Sequence, residues 1–106
     1  MIERLFEQLV ADIDAARGDM VAVRRDLHAH PELGFQEVRT SGIVAERLRA
    51  AGLAVRTGLA TTGVAGVLRG GRQGRTVLLR ADIDALPIEE ANAVPYRSQR
   101  PGVMHA

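Results

Sequence analysis

Apolar residues in the first third of the chain recur with a helical period. Leu5, Leu9 and Ile13 fall four apart, Phe6 and Val10 widen the stripe, and Met20, Val23 and Leu27 resume it after Gly18. This spacing predicts helix over residues 2–29, either one kinked helix or two abutting ones, because a glycine costs a helix interior about 1 kcal/mol relative to alanine. Pro31 ends the pattern, since the residue before a proline is pushed out of the α region. Val38, Ile43, Val44 and Leu48 give a second helix over about 36–51, with Gly52 placed as its carboxyl-terminal cap. Two short strands follow near Ala54–Thr57 and Val64–Arg69, separated by Gly58 and the Thr61-Thr62-Gly63 turn. The cluster Gly70, Gly71, Gln73 and Gly74 reads as a hairpin turn into a further strand. A phosphate cradle is excluded there, because the glycines lack the Gly-Lys-Ser/Thr ending and lead into a strand.

That further strand is the segment around which the chain is organised. Thr76-Val77-Leu78-Leu79-Arg80-Ala81-Asp82-Ile83-Asp84-Ala85-Leu86-Pro87 starts as an apolar run, carries two acids and closes on a proline. The run reads as a buried strand, and polar groups at the carboxyl end of such a strand sit where open α/β sheets collect ligands. At a rise of about 3.3 Å per residue, Asp82 and Asp84 would share a face roughly 6–7 Å apart. At that distance two carboxylates repel by on the order of 2–3 kcal/mol at an effective dielectric near 20, which a cation would offset. Beyond Pro87 periodicity is lost, and Glu89 to Ala106 reads as a long loop of the kind that is usually functional or disordered.

Composition narrows the classes. The 106 residues fit one small domain at most, with 46% hydrophobic and 25% charged residues, as in soluble globular chains. Net charge is +1 with acids and bases interleaved, and aromatic content is 3%. Neither nucleic acid nor a membrane surface is expected as a partner. The lack of cysteine removes disulfide and thiolate chemistry from these residues. No apolar run approaches the length of a membrane span or signal peptide, so the cytoplasm is the expected compartment.

The turn His28-Ala29-His30-Pro31-Glu32-Leu33 offers two histidines and a glutamate. Zinc chelation fits poorly, since helix positions two apart do not face one another. The favoured reading is structural: histidines in a last helical turn suit the negative end of the helix dipole.

Three stretches, in this order, carry a resemblance. They are Arg24-Arg25-Asp26-Leu27-His28-Ala29-His30-Pro31-Glu32-Leu33-Gly34-Phe35-Gln36-Glu37, then Leu79 through Ile88, then Gly102-Val103-Met104-His105-Ala106. Together they closely resemble the start of the M20 metallopeptidase family in its amidohydrolase branch, which holds hippurate hydrolases, N-acyl-amino-acid amidohydrolases and indole-acetyl-amino-acid hydrolases. The resemblance implies the amino-terminal part of a three-layer α/β/α zinc-peptidase-like catalytic domain, two helices and then a partial mixed sheet, with the inserted lid and dimerisation domain absent. It implies a small N-acyl amino acid as substrate, and two divalent ions (zinc, manganese, cobalt or nickel) that polarise the amide and supply hydroxide. Asp84 matches the aspartate that orients a metal ligand from behind. Asp82 falls where other branches place a ligand histidine; an aspartate is normal there in this branch. His105 opens the family's His-Ala-Cys-Gly-His-Asp segment, as a neighbour of the site.

The resemblance puts the later cysteine, the histidine ligands and the proton-shuttling glutamate beyond Ala106. The chain is therefore expected to be an amino-terminal fragment that holds metal weakly and is inactive and poorly folded alone, although the full-length family is often homo-oligomeric. Two alternatives stand beside it. One is a small non-catalytic interaction module that uses the apolar helix stripe. The other is a fragment of a haloacid-dehalogenase-like phosphatase with an Asp-x-Asp motif, although Ala85-Leu86-Pro87 follows where such enzymes carry a small polar step.

Overall fold

A computed structural model describes residues 1–106. It contains helix α1 (Ile2–Ala29), helix α2 (Val38–Ala50) and strands β1 (Ala54–Leu59) and β2 (Gly63–Val67) in an antiparallel hairpin. Gly18 does not divide α1, which runs for 28 residues as a single element. Exposed helical neighbours support it, with Gln8 donating to Asp12 at 2.9 Å and Arg17 paired to Asp14 at 3.2 Å. No helix is long and apolar enough to cross a membrane.

Helix α2 ends as its sequence requires. Gly52 takes φ of +85°, the Gly52 N–H donates to the Arg49 carbonyl at 2.9 Å, and the Leu53 N–H donates to the Leu48 carbonyl at 3.1 Å. This Schellman closure satisfies carbonyls that the last helical turn would otherwise leave open. The turn delivers the chain into β1, and the hairpin folds back onto α2. A side chain at Gly66 would come within 2.9 Å of Leu53 and 3.1 Å of Leu48, so the hairpin approaches the helix closely there. At the hairpin tip Ala60 and Thr61 both have positive φ, 46° and 81°, as a primed turn demands. The Thr62 hydroxyl then donates to Glu37 at 2.5 Å, tying the tip to the start of α2.

Two ion pairs link α1 to α2: Arg47 to Asp19 at 2.6 Å, and Arg39 to Asp26 at 2.8 Å. All four side chains are substantially exposed, so each pair contributes at most about 1 kcal/mol. The outer half of α1 meets little else, and Leu5, Phe6, Leu9 and Ile13 are at least half exposed. Only nine residues are buried in all. The radius of gyration is 16.6 Å, against about 13 Å for a compact domain of this length. The core is thus small and sits under the hairpin and around the turn after α1.

The expected buried strand at residues 76–80 is corrected by the structure. Val77, Leu78 and Leu79 are 82%, 86% and 91% exposed, and nothing pairs with them. β2 stops at Val67, so the glycines at 70–74 close no hairpin. A strand is a relation between two segments, and no other segment of these 106 residues reaches this run. The chain regains order only at its far end. The Ala85 N–H donates to the Glu32 carbonyl at 2.8 Å, and Leu33 and Ala85 form a parallel bridge. Leu86 and Met104 exchange bonds of 2.9 and 3.0 Å as an antiparallel bridge.

Candidate functional site

The turn that ends α1 collects the rest of the chain. Its backbone takes Gln99 on the Ala29 carbonyl at 2.9 Å and Ala85 on the Glu32 carbonyl. The Glu32 carboxylate caps α2, accepting from the N–H groups of Arg39 at 3.0 Å and Thr40 at 2.6 Å and from the Thr40 hydroxyl at 2.7 Å. Burial pushes the Glu32 pKa up, but the Thr40 and Arg39 donors outweigh it and the net shift is downward. One turn therefore fixes α2, the 85–86 segment and the loop at 99.

His28 projects from the last turn of α1 against Glu90. Its Nε2 lies 2.9 Å from one carboxylate oxygen of Glu90 and 2.6 Å from the other. The two side chains are 11% and 1% exposed. Glu90 also accepts from the Ser98 N–H at 3.0 Å, while Arg97 donates to the Glu90 carbonyl at 2.7 Å. The His28 bond, together with Ser98, holds the Glu90 carboxyl below its ordinary range. Tyr96 stands edge-on to His28 with ring centroids 5.9 Å apart, and the Arg25 guanidinium covers its other side at 4.6 Å. His30 turns elsewhere: its Nδ1 donates to the Asp26 carbonyl at 2.9 Å. His28 stands in the last turn of α1 and His30 at its cap, and His28 gains a buried partner that no local pattern announces.

A groove of about 670 Å³ opens beside this cluster. Met20, Val23, Leu27 and Ile83 make its apolar floor, and His28, Asp82 and His105 reach its wall. His105 Nε2 is buried and has no hydrogen-bond partner. Burial first, and then the neighbouring His28, lower the His105 pKa against an opposing pull from Asp84. The neutral imidazole is accordingly favoured, with a nitrogen free to accept or donate.

The expected acids divide. The Asp82 carboxylate lines the groove but is 68% exposed and held by Arg80 at 2.8 Å. Asp84 does not line the groove; its carboxylate sits over Gly34, 3.9 Å from where a side chain there would begin. No three acidic, histidine or cysteine side chains converge on one point. The residues present do not by themselves make a divalent-metal centre. Glu90 is the residue that sequence reasoning missed. It stood in an aperiodic loop, and its one signal was an acid two residues after the apolar Ile88.

The groove thus joins the apolar side of α1 to a buried imidazole with no hydrogen-bond partner, beside a two-stranded sheet. No protein-family model matches the chain. Thermostable carboxypeptidase 2 of Saccharolobus solfataricus is 45% identical over 103 residues, covering 96% of this chain and 26% of that protein. The N-acyl-L-amino acid amidohydrolase of Geobacillus stearothermophilus is 45% identical over 100 residues, covering 94% and 27%. The crystal structure of Bacillus subtilis YXEP protein, a dinuclear metal-binding peptidase of the M20 family, superposes with a TM-score of 0.80 at 39% identity, covering 87% of this chain and 26% of that one. By sequence and by fold this chain is similar to the amino-terminal part of M20 amidohydrolases, and it spans about a quarter of the length of the curated relatives it matches. That fold sets aside the Asp-x-Asp phosphatase alternative.

Proposed function

We propose that this chain forms one wall of the active site of an amidohydrolase that cleaves N-acyl amino acids, and that it acts only together with the rest of such a catalytic domain. The observation that carries this reading is His105, a residue lining the groove with a buried nitrogen that has no partner, in a chain 45% identical over 100 residues to an N-acyl-L-amino acid amidohydrolase. A carboxypeptidase and an N-acyl-amino-acid amidohydrolase cut the same kind of bond, an amide whose nitrogen belongs to an amino acid with a free carboxylate. The reaction adds water across that bond: hydroxyl goes to the acyl carbon, the C–N bond breaks, and the amine leaves with a proton.

In this reading the apolar floor of Met20, Val23, Leu27 and Ile83 excludes water from one side of the groove. His105 keeps its partnerless nitrogen for a polar group beside the groove, and burial and His28 favour its neutral form against the opposing charge of Asp84. Asp82 and Asp84 serve divalent ions (zinc, manganese, cobalt or nickel), Asp82 as a candidate ligand and Asp84 as an orienting group, with the remaining ligands outside these residues. A lid and dimerisation domain likewise lies outside them, and the working compartment is the cytoplasm.

The test is a graft. This chain replaces the matched residues of the Geobacillus stearothermophilus enzyme, and hydrolysis of N-acyl amino acids is measured with added manganese or zinc. The chimera is expected to be active and the 106-residue chain alone inactive. A folded chimera without hydrolysis, or hydrolysis by the lone chain, would overturn the reading.

A further inference from the structure

The two histidines at the end of α1 are fixed through opposite ring nitrogens. His30 donates through Nδ1 to the Asp26 carbonyl. His28 instead meets both carboxylate oxygens of Glu90 through Nε2, at 2.6 and 2.9 Å. The Glu90 carboxyl is held below its ordinary range, so near neutral pH it is an ionised group that can only accept. A proton must then sit on His28 Nε2, whether the ring is neutral or charged.

The His28 ring is bounded on other sides as well. Tyr96 stands edge-on to it at 5.9 Å, and the His105 ring faces it with centroids 6.4 Å apart and planes tilted by 39°. Glu90 also reaches the segment that delivers His105. Its carboxylate accepts from the Ser98 N–H, and the Ser98 hydroxyl donates to the Val103 carbonyl at 2.6 Å. The bridge between Leu86 and Met104 fixes that segment from another side. Docking a loop does not require such chemistry, because a buried charged pair contributes little over apolar groups of similar volume. What an acceptor-only carboxylate adds is direction: it selects one tautomer and one orientation of the imidazole.

We propose that Glu90 and His28 are a positioning pair for the groove: the carboxylate sets the tautomer and direction of the His28 ring, and that ring seats the His105 imidazole beside the end of α1. Every contact of the pair is made within these 106 residues. Its kinetic consequence rests on the amidohydrolase reading above; the pair itself does not.

Imidazole 15N resonances of the 106-residue chain test it at about pH 8, above the ordinary histidine value of about 6.5. His28 is expected to carry its proton on Nε2 and His30 on Nδ1. Glu90→Gln keeps the size and one accepting oxygen, so the Gln99 amide, bonded to the Ala29 carbonyl, should keep its protection from exchange. The new amide can donate as well as accept. His28 should therefore divide between its tautomers and the His105 resonances should move, while those of His30 stay in place. In the chimera described above, the same substitution should lower kcat about ten- to a hundredfold with KM little changed.

A His28 proton on Nδ1 alone would overturn the proposal, as would His28 and His105 resonances that ignore Glu90→Gln. Loss of Gln99 protection in that variant would make Glu90 a loop anchor and overturn it too. So would an active chimera whose kcat does not change. A chimera inactive before any substitution counts against the amidohydrolase reading, and the resonances then decide the pair.

Discussion

The turn at residues 28–33 and the run at residues 76–84 are both dense in motif residues, and they behave in opposite ways. The turn is fastened at several points: Ala29 and Glu32 accept through their carbonyls, the Glu32 carboxylate caps α2, and His28 meets Glu90. The run closes none of its backbone groups with another backbone group and exposes Val77, Leu78 and Leu79. The turn's partners lie within the same 106 residues, while no backbone group in them pairs with the run. Motif content therefore does not forecast local order; what decides it is whether a segment's complement is within reach of the same chain.

The sharpest way to break that contrast is at Glu90. Glu90→Ala leaves His28 and the Ser98 N–H facing a gap and should undock the 88–103 loop, raising amide exchange at Gln99 by roughly tenfold or more. Acid should do the same. Because the folded-state pKa of Glu90 is depressed, its stabilisation is fully present above the ordinary glutamate value of about 4.3 and is lost as pH falls through the folded value below that. Gln99 exchange followed from pH 6 downward checks the sign: protection should hold to about pH 4 and then decline.

A smaller effect is expected at Glu32. Glu32→Ala removes three donors' acceptor at the start of α2 and should cost about 1–2 kcal/mol, read as lost helicity and a lower urea midpoint. The smallest effect belongs to the other region. Leu79→Ser in the free chain should change stability by less than about 0.5 kcal/mol, since that side chain is already in water. A large loss at Leu79, or none at Glu90, would reverse the comparison.

The sequence was legible where structure is local. The helical period of Leu5, Leu9, Ile13 and Leu27, the stop at Pro31, the Gly52 cap and the hairpin near 54–67 all depend on residues a few positions apart. Gly18 was ambiguous, because its penalty is small beside 28 residues of continuous helix. The strand at 76–80 was misread for a physical reason: an apolar run states what a segment needs, not what is there to satisfy it. Of the candidate site residues, His105 and Asp82 share the groove and Asp84 lies at Gly34. The buried contact of His28 with Glu90 spans 62 positions and leaves no periodic trace.

By itself the sequence determined two helices, a hairpin, a proline-stopped turn and a kinship with the M20 amidohydrolases, because each is written in short-range spacing or in contiguous motifs. Only the tertiary structure decided that His28 would be held by Glu90, that the nitrogen of His105 would be buried without a partner, and that Val77–Leu79 would stand in solvent. Those outcomes depend on which distant segments arrive, and arrival is a property of the folded chain in three dimensions.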